Sequence, residues 1–196
     1  MQQAQIILAS TSPRRSELLN QIGIAHVIHA VDIDETPLPH EAALAYVERI
    51  AAEKSAAYRA LRDKSCDDTL PVLAADTAVV VDGKIFGKPR DKSHAIDMLS
   101  QLSGRSHQVY SAISLRGTHH GQAISISEVR FRPLTANEII AYWQTGEPQG
   151  KAGAYAIQGL GSVFIETING SFSGIMGLPL YETAQLLAQQ GIRVIA

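Results

Sequence analysis

"PVLAADTAVVVDGKIFGKP" (residues 71–89) decides the fold class. Val72 to Val81 is an almost unbroken apolar run, the pattern of a strand covered on both faces. Asp82-Gly83 is a two-residue hairpin turn leading into Lys84, Ile85 and Phe86. One residue interrupts the run: Asp76, between Ala75 and Thr77. A buried carboxylate without a partner is costly even after the protein relaxes. The position therefore calls for a cation, a metal or a set of donors. A carboxylate that bonds only backbone N–H groups at a strand end is the structural alternative, and the run leaves both open.

Upstream, "ILASTSPRRSELL" (residues 7–19) joins a short buried strand, Ile6 to Ala9, to a helix. Ser12 is placed to cap that helix, Pro13 suits its first position and Gly23 suits the residue past its end. Such a junction aims free backbone N–H groups and the positive end of the helix dipole at one spot, which favours phosphate. Ser10, Thr11 and Ser12 add hydroxyls, and Arg14 and Arg15 add charge with bidentate geometry. Two arginines in a first turn oppose the dipole, a penalty that an anionic ligand would remove. A capped helix with solvated arginines is the alternative.

A short strand follows around residues 25–31, then the acidic loop "DIDETPLPHE" (residues 32–41) containing Glu35. The spacing predicts a long helix over 41–61, with Leu44, Val47, Ala51, Tyr58 and Leu61 on its apolar stripe. Lys54 falls in that stripe. Either it snorkels at the core edge or its ammonium enters a polar cleft.

Beyond the hairpin, Lys88 follows Gly87 in a loop. Taken alone, Lys88 and Glu35 read as solvated charges. Residues 91–104 form a helix with Ala95, Met98, Leu99 and Leu102 inward, closed by Gly104. Residues 107–116 and 122–132 form a strand pair joined around Gly117 to Gly121. Thr135 and Glu138 make a capping box for a helix to about residue 145. A glycine-rich stretch of short strands and tight loops comes next, with "NGS" (residues 169–171) as a hairpin turn. A last helix, 180–190, precedes a terminal strand, "IRVIA" (residues 192–196). Gln158 is either a turn residue or a base reader. Its amide offers a donor beside an acceptor, complementary to an imide base such as uracil or thymine.

Composition narrows the class. The apolar share of 45% and charged share of 18% fit a globular chain of 196 residues. No repeat, low-complexity segment or linker divides it, so one domain over 1–196 is expected. Strands mixed with helices argue an α/β fold with a mixed sheet. A formal net charge of −2 argues against a general nucleic-acid binder. No apolar stretch is long enough for a membrane span, and no signal peptide is evident. The single Cys66 suits a reducing compartment and reads as a dispensable thiol in an exposed loop. Two tempting motifs fail. "GEPQGKAG" (residues 146–153) is one residue short of a phosphate loop, with Ala152 in place of the metal-binding hydroxyl. "GLGSVF" (residues 159–164) has Phe164 where a dinucleotide fingerprint needs glycine. His119-His120 reads as solvated in a turn.

Eight blocks, in this order, resemble the Maf nucleotide pyrophosphatases: "LASTSPRRSELL", "DETP", "AAEKSAA", "LAADTAVVVDG", "FGKPRD", "LSGRSHQVYSA", "KAGAYAIQGLG" and "GLPLYET". The resemblance runs from residue 6 to about 187. It implies an inosine-triphosphatase-like fold: an elongated mixed sheet flanked by helices, with a cleft between two lobes. It further implies a cytoplasmic house-cleaning enzyme, often a homodimer. Such an enzyme hydrolyses nucleoside triphosphates to monophosphate and pyrophosphate with a divalent cation, Mg²⁺ or Mn²⁺. By the same resemblance Asp76 accepts the proton of the attacking water. Ser10, Arg14, Arg15, Lys54 and Lys88 line the phosphate site, and Glu35 joins Asp76 at the metal. Arg14, Thr77 and Gln158 separate the specificity branches, and this combination is similar to the dTTP/UTP branch. The 7-methyl-GTP branch would carry Trp in place of Arg14 and an acid in place of Gln158. The rivals are a non-catalytic nucleotide-binding regulator of division or septum formation, which would not need Asp76, and a phosphatase releasing orthophosphate.

Overall fold

The apolar run becomes the axis of the molecule. The computed structural model describes residues 3–61 and 70–195, so Cys66 lies outside the described residues. Its elements are β1 (Ile6–Leu8), α1 (Pro13–Gln21), β2 (His26–Ile28), α2 (Ala43–Leu61), β3 (Val72–Val81), β4 (Lys84–Phe86) and α3 (Lys92–Leu102). They continue through β5 (Ser106–Arg116), β6 (His120–Phe131), α4 (Ala136–Gln144), β7 (Ile165–Asn169), α5 (Phe172–Met176) and α6 (Leu180–Gln189). Two 3₁₀ turns, Ala152–Ala154 and Leu160–Phe164, precede β7.

The strands make one mixed sheet in the order β2-β1-β3-β5-β6-β7, with β4 also paired to β3. β1 is parallel to β2 and β3, and the remaining pairs are antiparallel. This is the expected mixed sheet with flanking helices. Side chains alternate across β3 as the pleat requires. Ala74, Ala78 and Val80 pack on the α2 side, with Val47, Ile50, Ala51 and Tyr58. Leu73 and Ala75 pack on the opposite side with Leu18 and Leu19 of α1 and Leu187 of α6. Val79 and Val81 continue that side against Leu99, Phe131 and Tyr155. Both faces of β3 are covered, which is why the run is almost purely apolar.

One edge of β3 positions the site. β5 pairs along the other edge from Val72 to Val80. On the near edge, Ile7 and Leu8 pair with Val72 and Leu73, and Phe86, Ile85 and Lys84 pair with Val79, Val80 and Val81. Residues 74–78 lie between β1 and β4 with no strand partner on that edge among the described residues. The connections through α1 and α2 leave on opposite faces of the sheet, so the gap beside the end of β1 is a topological switch point, where open α/β sheets bind ligands.

Four local expectations are corrected. Ser12 occupies the N-cap position of α1 without a side-chain capping bond; its N–H instead donates to Ser10 Oγ at 3.2 Å. Leu44 is off the apolar stripe of α2 and 38% exposed, while Ala43, Tyr46 and Ile50 are buried. Apolar character at Leu44 does not mark inward phase; the buried stripe runs through Ala43, Tyr46, Val47, Ile50 and Ala51. "NGS" is not a hairpin: Asn169 ends β7 and Ser171 caps α5 by accepting from Gly174 N–H at 2.9 Å. Residues 192–195 form no strand; Ile192 and Val194 pack on the core instead.

Candidate active site

The switch point opens into a cavity of about 530 Å³. Ser10, Arg14, Arg15, Glu35, Lys54, Asp76, Thr77, Lys88 and Gln158, scattered over nearly 150 positions of sequence, all line it. Ser10 comes from the loop after β1, the arginines from the first turn of α1, and Lys54 from the middle of α2. Asp76 and Thr77 come from the unpaired stretch of β3.

Asp76 is 7% exposed and faces α2. Lys54 Nζ donates to Asp76 Oδ1 at 2.9 Å and lies 2.8 Å from Glu35 Oε1. The polar-cleft alternative for Lys54 is the one the fold adopts. Burial pushes the Asp76 carboxyl above its ordinary pKa, against the pull of Lys54 and Arg15. At Glu35 burial also pushes up, but the hydrogen bond and charge of Lys54, with Lys88 and Arg15, prevail and hold it below the ordinary value. One ammonium thus joins two acids whose pKa values are shifted in opposite directions. Tyr46 Oη donates to the Glu35 carbonyl at 3.0 Å and fixes the acidic loop over α2.

Arg15 is buried rather than solvated, as the opening junction left undecided. Its Nε donates to Gly177 O at 2.9 Å, Nη1 to Ser10 Oγ at 2.9 Å and Nη2 to Thr77 Oγ1 at 3.4 Å. Thr77 Oγ1 in turn bonds Ser111 Oγ at 2.9 Å, which donates to Gly174 O at 2.6 Å. Since Ser111 spends its proton on the carbonyl, Thr77 donates to Ser111 and accepts from Arg15. Burial presses against the Arg15 charge and Asp76 supports it; a guanidinium stays protonated regardless. Arg15 is therefore a fixed cation that shapes the site. Arg14 is half-buried, with Nε donating to Met176 O at 3.3 Å. The first turn of α1 carries no acidic residue and no side-chain cap. Its N–H groups and the two arginines concentrate positive potential at the cavity, an arrangement suited to phosphate.

Lys88 and Gln158 are exposed at the rim, and among the described residues neither side chain is hydrogen-bonded. Sequence reasoning gave Lys151 no role. It lines the same cavity, and burial followed by repulsion from Arg14 lowers its pKa. Its signal in the sequence is "GEPQGKAG", a lysine among glycines, whose spacing does not match a phosphate loop. Gly153 N–H donates to Gly87 O at 3.1 Å, tying the Lys151 loop to the Lys88 loop.

Among the described residues no cluster of three or more His, Cys, Asp and Glu side chains is arranged to hold a metal alone. The donor set is instead a pair of carboxylates, Glu35 and Asp76, brought to a single cationic point, with none of the described residues bonding Asp76 Oδ2. Two carboxylates plus substrate phosphates are the ligands that Mg²⁺ ordinarily takes. The pair fits that group.

No described helix is long and apolar enough to cross a membrane. The sequence profile of the family described as Maf-like protein matches residues 5–190. A dTTP/UTP pyrophosphatase of Methylococcus capsulatus is 54% identical over 189 residues, spanning 96% of this chain and 92% of that protein. One of Nitrosomonas europaea is 52% identical over 201 residues, spanning 96% of each. Among solved structures, the Ham1 protein of Staphylococcus aureus superposes with a TM-score of 0.45 at 19% identity, covering 64% of this chain and 71% of that one.

Proposed function

The chain belongs to the Maf family, and from that premise we propose that it is a nucleoside triphosphate pyrophosphatase that converts dTTP and UTP to the monophosphate and pyrophosphate. The observation that carries the reading is the Lys54 bridge: one ammonium holds Asp76 and Glu35 at the floor of a cavity ringed by Arg14, Arg15, Lys88 and Lys151. A polyphosphate is the ligand whose charge such a ring matches.

Asp76 takes the proton of the attacking water. Its raised pKa makes it a stronger base than an exposed aspartate and brings it closer to the operating pH. Lys54 keeps it oriented through Oδ1. Arg14, Lys88, Lys151 and the first turn of α1 hold the phosphates. Most of the acceleration comes from this positioning and from charge stabilisation. Arg15, committed to Ser10, Thr77 and Gly177, keeps that frame rigid. Glu35 and Asp76 would hold Mg²⁺ or Mn²⁺, which when bound neutralises phosphate charge and lowers the pKa of water. Cleavage falls between the α and β phosphates. Thr77 and Gln158 face the base, Gln158 through its paired donor and acceptor.

Incubation with Mg²⁺ or Mn²⁺ and a nucleotide panel, with pyrophosphate and orthophosphate assayed separately, tests the reading. Pyrophosphate released fastest from dTTP and UTP is the expected result. Orthophosphate would point to a phosphatase, and tight binding without turnover to a regulator.

A further inference from the structure

Gln158 makes no hydrogen bond of its own among the described residues, yet the backbone around it is clasped on both sides. Ahead of it, Ala156 N–H donates to Tyr142 Oη at 3.1 Å. After it, Leu160 N–H donates to Glu147 Oε2 at 2.8 Å and Gly161 N–H to Glu147 Oε1 at 2.9 Å. Tyr142 Oη closes the clasp by donating to Glu147 Oε1 at 2.7 Å. The ends of the clasp are well anchored. Tyr142 is 4% exposed and stacks edge-on against Phe164 with centroids 4.9 Å apart. Glu147 N–H donates to Thr145 Oγ1 at 3.2 Å, just past the end of α4.

The fit leaves no slack. A Cβ at Gly159 would overlap the Glu147 carboxylate, and one at Gly161 would lie 2.6 Å from Tyr142 Oη. Gly159 thus leaves room for the carboxylate, and Gly161 for the Tyr142 hydroxyl. Neither Tyr142 nor Glu147 lines the cavity. Three N–H groups, one hydroxyl and one carboxylate are thus spent on holding a six-residue segment that carries the exposed, cavity-lining Gln158.

We propose that Tyr142 and Glu147 are positioning residues that latch the 156–161 segment, so that base selection by Gln158 depends on a carboxylate outside the cavity. The inference rests on the reading of Gln158 as the residue facing the base. An amide discriminates among bases only if its donor and acceptor are held in register, and a loop free to swing loses that register without losing its hold on phosphate. The ionised carboxylate is essential to the latch, since it accepts on both oxygens. Glutamine in its place presents an NH₂ group to one of the donors.

The test uses the full chain and the variants E147Q, Y142F and Q158A, with kcat/KM measured on dTTP, UTP and GTP. E147Q is expected to cut the preference for dTTP over GTP about tenfold, the scale of one lost charge-assisted hydrogen bond. The loss should fall mainly on KM for the pyrimidine nucleotides. Combining E147Q with Q158A should lower the preference no further than Q158A alone, because the two act as one unit. Equal slowing on all nucleotides, or additive effects in the double variant, would overturn the proposal. Amide hydrogen exchange gives a readout independent of turnover. Exchange over 156–161 should quicken in E147Q and Y142F while α2 and β3 stay protected, and unchanged protection would also overturn it. A wild-type enzyme with no pyrimidine preference would refute the base reading of Gln158 instead, and the exchange result would still decide whether the latch exists.

Discussion

Lys54 Nζ on α2 lies 2.9 Å from Asp76 Oδ1 on β3, a pair that is almost wholly buried and that also reaches Glu35 at 2.8 Å. A buried carboxylate left alone would neutralise. The ammonium lets Asp76 carry charge inside the fold, and the open edge of β3 lets that charge meet water.

Asp76→Asn is expected to fold and to lose roughly 10²- to 10⁴-fold in kcat, the usual worth of a positioned general base. Lys54 retains Glu35 as a partner, so its charge is not orphaned and thermal stability should change little. Steady-state kinetics beside a melting curve checks both halves. Full turnover in this variant would remove Asp76 from the chemistry.

The raised pKa of Asp76 fixes the direction of two pH effects. In the metal-free protein the Asp76 carboxyl, followed by NMR, should titrate above the ordinary aspartate range. Lys54→Met removes a charge that favours ionisation and should move that titration higher still. For stability the sign follows from proton counting. Between the ordinary and the raised pKa the folded state holds a proton the unfolded chain has lost, so this group costs stability as pH rises through that window. Asp76→Asn should abolish that contribution, which denaturant titrations across the window would read.

The sequence disclosed the parts that depend on local pattern. The run Val72–Val81 announced a strand buried on both faces, and Asp76 stood out because it broke that run. The Thr135–Glu138 capping box is present with both bonds formed. The partner of Asp76 was not legible, because Lys54 lies on another element and only the crossing of α2 over β3 brings them together. The same holds for Arg15, whose partners Thr77 and Gly177 are far along the chain. Lys88 and Glu35 read as surface residues on their own, and only the resemblance singled them out; the amide of Gln158 left a turn residue and a base reader both open. Lys151 is not legible because its loop departs from phosphate-loop spacing, and only the fold turns it to the cavity. The terminal "IRVIA" has strand propensity, but in the assembled fold Ile192 and Val194 pack on the core, which local pattern does not show.

Gly153→Ala should destabilise the protein and weaken the phosphate grip together. Gly153 has φ of 67°, and a Cβ there would lie 2.8 Å from Val79 Cγ2. Left-handed backbone plus overpacking against β3 predicts a loss of about 1–3 kcal/mol. Because Gly153 N–H joins the Lys151 loop to Gly87, KM should rise more than kcat falls. Urea unfolding and steady-state kinetics on the same preparation would check this, and an unchanged midpoint would refute it.

His107 gives the protein a second, opposite pH dependence. The ring is 3% exposed, its Nε2 pairs with Tyr155 Oη at 2.8 Å, and none of the described residues bonds the buried Nδ1. Burial drives its pKa down from 6.5 to about 4. The unfolded chain therefore takes up a proton as pH falls below 6.5 while the folded state refuses it, and the stability held above 6.5 is lost progressively down to about 4. The full loss is on the order of 3 kcal/mol, partly offset by Asp76, which favours the folded state as pH falls. His107→Phe removes the proton acceptor and keeps an aromatic ring beside Phe131, which His107 meets edge-on with centroids 5.0 Å apart. The variant leaves Tyr155 Oη without its partner, a cost of about 1–3 kcal/mol at every pH. That constant cost does not alter the slope, so the slope is the readout. Unfolding free energies at the two ends of the window should converge in the variant and diverge in the wild type. A slope unaltered by the substitution would show that His107 titrates in the folded state like an exposed imidazole.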